Sequence, residues 1–105
     1  MNAGTQDVGV SISAAGTTQA GATLLFNGLC WITTAASGSG VVLFPGNPGT
    51  AQTVYNGGAN AVKVYPPTGA QINGLGTNNA MTLAVSTSCH FWSLNATQVI
   101  GILSA

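Results

Sequence analysis

Turn residues cut this chain into pieces too short for anything but strands. Ser37-Gly38-Ser39-Gly40, Pro45-Gly46-Asn47-Pro48-Gly49, Asn56-Gly57-Gly58, Pro66-Pro67-Thr68-Gly69 and Asn73-Gly74 punctuate 105 residues. Each cluster combines residue types that favour turns for steric or local hydrogen-bonding reasons. Between them, Val8, Val10 and Ile12, and again Met81, Leu83 and Val85, alternate with polar or small neighbours. That period of two marks a strand with one buried face. Thr23–Phe26, Leu29–Thr34, Val41–Phe44, Gln52–Asn56, Ala61–Tyr65, Ser88–Leu94 and Gln98–Leu103 are further candidates, with Ala70–Asn73 a weaker one. No long stripe of 3.6-residue period occurs, and the abundant Thr and Gly disfavour helix; a short turn around Ala35-Ala36 is the most that fits. The expectation is an all-β domain of about seven to nine short strands, folded as a compact sandwich or small barrel without substantial helix. No internal repeat stands out, which argues against a solenoid. Residues 1–7 read as an N-terminal arm and residues 8–105 as a single all-β domain.

Side-chain parity makes one hairpin specific. Val54, Val62 and Val64 should share the buried face, and a one-residue slip would turn every side chain over. Centring the turn on Gly58 pairs Val54 with Val62 across the loop Gly57-Gly58-Ala59, with glycine supplying a positive φ. Lys63 and Tyr65 then point outward, and Pro66-Pro67 ends the ladder because neither can donate a hydrogen bond. The expected core is Val10, Ile12, Ile32, Val41, Leu43, Val54, Val62, Val64, Leu83, Val85, Phe91 and Ile100.

Charge is almost missing. Asp7 and Lys63 are the only formally charged side chains, and there is no Arg, where an ordinary domain spends about a quarter of its residues on charge. Phosphate recognition draws on Lys and Arg, so nucleic acid is not an expected partner; a polybasic membrane patch fails for the same reason. No apolar run reaches the roughly 20 residues that span a bilayer, and the N-terminus has neither a basic start nor an apolar core of a secretory signal. Synthesis in a reducing cytoplasm is therefore expected, with Cys30 and Cys89 as buried thiols; they could pair only if the fold brings their Cα atoms within about 7 Å. Neutral polar surfaces repel neighbouring copies very little. Such a surface suits a chain that lives packed against other proteins.

Chemistry-bearing residues are few. Paired-carboxylate hydrolysis needs two acids and only Asp7 is present. A zinc site needs three or four ligands, and Cys30, Cys89, His90 and Asp7 show no ligand spacing. Cys89 and His90 are adjacent, but neighbours on a strand face opposite sides of the sheet. Gly38-Ser39-Gly40 lacks the lysine and following helix of a phosphate loop, and Asn95-Ala96-Thr97 matches the glycosylation pattern without a secretion signal. No catalytic residue, metal or cofactor is expected. Trp31, Tyr55, Tyr65, Phe91 and Trp92 remain as core, interface or sugar-stacking aromatics.

The stretch from Gly57 through Ala59-Asn60-Ala61-Val62, Val64-Tyr65-Pro66, Gly69 and Ile72-Asn73-Gly74 resembles a signature of small virion structural proteins of tailed bacteriophages. Thr33-Thr34-Ala35-Ala36, Val41-Val42-Leu43 and Ala96-Thr97-Gln98-Val99 agree with it, so the likeness covers roughly residues 30–105. The resemblance implies a non-enzymatic capsid decoration, or cement, protein on the exterior of the head, with a β-tulip or jelly-roll-like fold, made in the host bacterial cytoplasm. It implies the major capsid protein and further copies of itself as partners, a trimer first and a dimer as the alternative. A tail, fibre or baseplate component binding host glycan through exposed aromatics is the second reading. The interface candidates are the arm residues Met1, Asn2, Ala3, Gly4, Thr5, Gln6 and Asp7, together with Lys63, Tyr65 and Trp92.

Overall fold

The computed structural model describes residues 8–26, 28–45 and 49–103. They form ten strands: β1 (Val8–Ser13), β2 (Thr23–Leu24), β3 (Leu29–Thr34), β4 (Gly40–Val42), β5 (Ala51–Asn56), β6 (Val62–Tyr65), β7 (Gln71–Ile72), β8 (Met81–Leu83), β9 (Ser88–Asn95) and β10 (Gln98–Leu103). No helix occurs among the described residues. The all-β expectation therefore holds, with ten strands in place of seven to nine.

The way the strands are joined departs from a sandwich or barrel. Sheet A has the order β1-β3-β5-β9-β10-β7 and sheet B the order β2-β4-β6-β8. The first six strands alternate strictly between the sheets, and within each sheet they run parallel. The chain is thus solenoid-like: each turn lays one strand in each sheet and the next turn stacks on it. Parallel neighbours need a crossover of a dozen or more residues, and here the crossover is itself a strand of the other sheet. The turn clusters are corners between sheets and not hairpin loops. The repeat is hidden because its steps differ. Gly9, Cys30 and Val54 are successive partners in sheet A, as are Thr23, Val41 and Val64 in sheet B, and no two of these four steps are equal.

After β6 the chain crosses to the far edge of sheet A as β7, then reverses. β8 lies antiparallel to β6, β9 antiparallel to β5, and β10 pairs with both β9 and β7. A fourth, oppositely directed rung thereby closes one end of the coil.

Between the sheets lies one core that includes Leu25, Cys30, Ile32, Val41, Leu43, Val54, Val62, Val64, Ile72, Leu83, Cys89, Phe91 and Val99. Each large aliphatic there contributes about 1.5–3 kcal/mol. Val54 and Val62 do share this core, but they sit in different sheets, so the expected hairpin does not form. Gly57-Gly58-Ala59 is a corner, and Gly58 does not take a positive φ. It must be glycine for another reason: a Cβ would stand 2.8 Å from Ala35 Cβ and 2.9 Å from Ala35 N. Two expected core residues are misplaced. Val85 lies exposed in the turn after β8, and Ile100 is exposed on the outside of sheet A. Ile12 is partly buried against the core, and the side chain of Val10 lies outside the described residues.

Two buried amides lock the corners. Gln52, at one end of β5, donates from Nε2 to the Leu25 carbonyl (3.1 Å) and accepts from the Phe44 amide (3.0 Å). It thus ties the third turn of the coil to the first and second. At the other end Asn56, wholly buried, donates from Nδ2 to the carbonyls of Asn60 (2.9 Å) and Leu83 (3.0 Å) and accepts from the Gly58 amide (3.0 Å). Asn60 extends the clamp by donating to the Ala35 carbonyl at 2.8 Å. Buried polar groups cost little only when fully paired, and both of these are bonded through oxygen and nitrogen.

Candidate functional site: the outer face of sheet A

Alternation along β3 sends Cys30 and Ile32 inward and leaves Leu29 and Trp31 outside. The register then aligns the outward residues of four strands. Leu29 lies beside Thr53, Thr53 beside His90, and His90 beside Ile102. Trp31 adjoins Tyr55 in a second row, and Trp92 adjoins Ile100 in a third. Trp31 and Tyr55 meet edge to face with centroids 6.1 Å apart, and His90 and Trp92 are 4.7 Å apart. Thr53 Oγ1 and His90 Nδ1 share a hydrogen bond of 2.6 Å.

A sheet with one solvated face normally alternates hydrophobic-in with polar-out. Here Trp31 is 50% and Ile102 58% exposed, with Leu29 and Ile100 also open. Lys63, the charged side chain among the described residues, lies in the other sheet. The outer face of sheet A is broad, weakly polar and aromatic, the composition found at the centre of protein interfaces.

The three described interface candidates are not brought together. Trp92 lies half-buried on this face, while Lys63 and Tyr65 are on β6, across the molecule. Lys63 points outward as expected and lines an open cleft of about 440 Å³ with Leu75, Asn78, Asn79 and Thr82. Tyr65 also points out of sheet B, yet it is buried. Its ring lies over Gly40 and its hydroxyl donates to the Thr17 carbonyl at 3.1 Å. Tyr65 is therefore a structural residue, held by the segment between β1 and β2. Met1 to Asp7 lie outside the described residues. Sequence reasoning missed Leu29, Ile100 and Ile102 as face residues; strand parity around Cys30 was the available signal for the first.

The sheet edges are poor docking points. Among the edge strands, β2 and β7 have two residues and β8 three, and β1 carries register shifts around Ile12. Short and bulged edges are the usual means of blocking strand addition.

The thiols are equally poor reagents. Cys30 and Cys89 both flank Val54, one strand away on either side, so their Cα atoms are about 10 Å apart. That exceeds the roughly 7 Å a disulfide tolerates. Both point into the core, away from His90. Burial pushes the Cys89 thiol up from 9.0 to about 11, partly offset by a backbone hydrogen bond from Ile102. Because the folded thiol holds its proton more tightly than the unfolded one, this contribution to stability is complete below pH 9. It is lost as the pH rises through about 11. Alkylation at pH 8 should leave both cysteines unmodified in the folded protein and modify both in denaturant, read by intact mass. Rapid native labelling of Cys89 would contradict this environment.

Among the described residues no group of three or more His, Cys, Asp or Glu side chains could hold a metal ion, and no helix is long and apolar enough to cross a membrane. Comparison with protein-family models, curated proteins and solved structures finds no match.

Proposed function

We propose that the protein is a non-enzymatic virion component of the capsid decoration type, working in many copies through apolar docking. The observation that carries this reading is the outer face formed by β3, β5, β9 and β10, strands without a charged residue that present a broad apolar surface on a chain with two charges. The resemblance around Asn60-Ala61-Val62 and Ile72-Asn73-Gly74 gives the setting: the exterior of a phage head, with the major capsid protein and further copies as partners. Weak contacts repeated over a symmetric shell add up, because each further contact within an assembly is effectively intramolecular. Blunted edges make face burial, and not strand addition, the main source of adhesion.

Salt distinguishes this mechanism from an electrostatic one. Screening acts on exposed charges, so particles carrying the protein should release their genomes at nearly the same temperature at low and high ionic strength. Lys63→Ala should change that stability by no more than about 0.5 kcal/mol per site, measured by heating virions assembled with each variant. Strong salt sensitivity, or a large Lys63 effect, would point instead to an acidic patch on the capsid. A second reading, glycan adhesion from a tail, is favoured by the Trp31–Tyr55 and His90–Trp92 pairs beside the Thr53 hydroxyl. Glycan-array binding lost in Trp31→Ala, with the protein mapped to the tail, would support it.

A further inference from the structure

The geometry points to a second copy of this chain as the occupant of the outer face of sheet A, two copies packing face to face about a two-fold axis. This rests on the reading of that face as an interface, and adds what covers it.

Three observations favour a copy over another partner. In an isologous contact one patch meets itself, residue i against j and j against i, so a face bearing charge of a single sign would repel its own copy. The four strands β3, β5, β9 and β10 carry no Asp, Glu, Lys or Arg, and can oppose themselves without that penalty. The second observation is extent. Four strands, β3, β5, β9 and β10, at about 4.8 Å spacing and about 20 Å long give a footprint of roughly 400 Å². The relief of Trp31, Trp92, Ile100 and Ile102 makes the accessible area larger, towards the roughly 800 Å² per partner of a standard interface. Third, the apolar residues span the width of the face, from Leu29 on β3 to Ile102 on β10. Thr53 Oγ1 and His90 Nδ1 lie between them and bond each other, so these two atoms are partnered within each copy. Two twisted sheets pack this way with interdigitating side chains and about 10 Å between them.

Sedimentation equilibrium over about 1–100 µM tests the inference. The expected result is a dimer of the 10.4 kDa chain whose dissociation constant is insensitive to salt. Trp31→Ser should weaken it by about 30-fold or more, the loss of one interfacial hot spot. Ile102→Ser on the other side of the face should weaken it too. Leu75→Ser, exposed but remote in the turn after β7, should leave it unchanged. Far-UV circular dichroism of each variant separates lost association from lost fold. Because Trp31 and Ile102 are half exposed, these substitutions remove little core. A monomer across the whole range, a trimer, or a dimer indifferent to Trp31→Ser and Ile102→Ser would overturn the assignment. Failure here is distinguishable from failure of the decoration reading. A monomer whose Trp31→Ser variant no longer binds particles gives the face to the capsid; a dimer that never binds particles keeps the assignment and removes the capsid.

Discussion

Asn56→Leu should destabilise the protein by about 3–5 kcal/mol, enough to leave much of it unfolded at 37 °C. Leucine matches asparagine closely in shape but offers no hydrogen bond. The Asn60 and Leu83 carbonyls and the Gly58 amide would each lose their contact with Asn56 in the interior. Stranding a buried polar group costs about 1–3 kcal/mol, and total domain stability is only about 5–15 kcal/mol. Asn56→Asp should be as damaging, since a carboxylate would face two carbonyls and could donate to neither. Urea unfolding followed by tryptophan fluorescence gives the number. A loss below about 1 kcal/mol would mean that water or a shifted corner satisfies those groups.

Gly40→Val is expected to cost about 2–3 kcal/mol by overpacking. Its Cβ would stand 2.8 Å from the Lys63 carbonyl oxygen and 2.8 Å from Tyr65 Cε2. The carbonyl belongs to the strand paired with β4 and cannot retreat without opening sheet B. The Tyr65 ring could swing away, but only by giving up the Thr17 carbonyl and uncovering the face it seals. Gly38, two residues earlier, makes a useful contrast. It has open space around it and φ +79, a conformation asparagine tolerates, so Gly38→Asn should be close to neutral. Thermal unfolding of the two variants should differ by about 10 °C, at roughly 4–8 °C per kcal/mol for a chain of this size. Equal melting temperatures would show that close approach at Gly40 is not what demands glycine.

The strands and the core were legible in the sequence because both depend on local alternation. Ile32, Val41, Val54, Val62, Val64 and Leu83 are inside as their pattern requires. Strand direction was not legible: alternation reads the same for parallel and antiparallel neighbours. Gly57-Gly58 fits a hairpin as well as a corner, and only the approach of Ala35 separates the two. Unequal steps between stacked residues hid the coil from any search for a fixed period. The candidate face was half legible. Parity placed Trp31 opposite Cys30, and the tight Ala96-Thr97 turn between β9 and β10 sets Ile102 beside His90, but nothing local sets Leu29 beside Thr53 or sends the segment before β2 across Tyr65. Those are long-range pairings, and the sequence marks them only by the absence of charge.

The reversed fourth rung also bears on how the chain can assemble. The first three turns are each closed by roughly 20–25 residues of contiguous chain and can stack in the order in which they are synthesised. Two strands, β5 and β6, remain open-edged until β8 and β9 arrive to pair with them. The Asn56 amide waits for the Leu83 carbonyl over the same interval. β8 is as near to β6 in sequence as one coil turn is to the next, but β9 pairs with β5 over a longer separation, Val54 with Cys89, and longer closures are entropically slower. Until both form, the coil ends in two unpaired sheet edges. The finished protein has edges too short or too bulged to recruit a neighbour, whereas its immediate precursor does not. Protection against unwanted pairing is thus acquired at the last step of folding, when the chain turns back on itself.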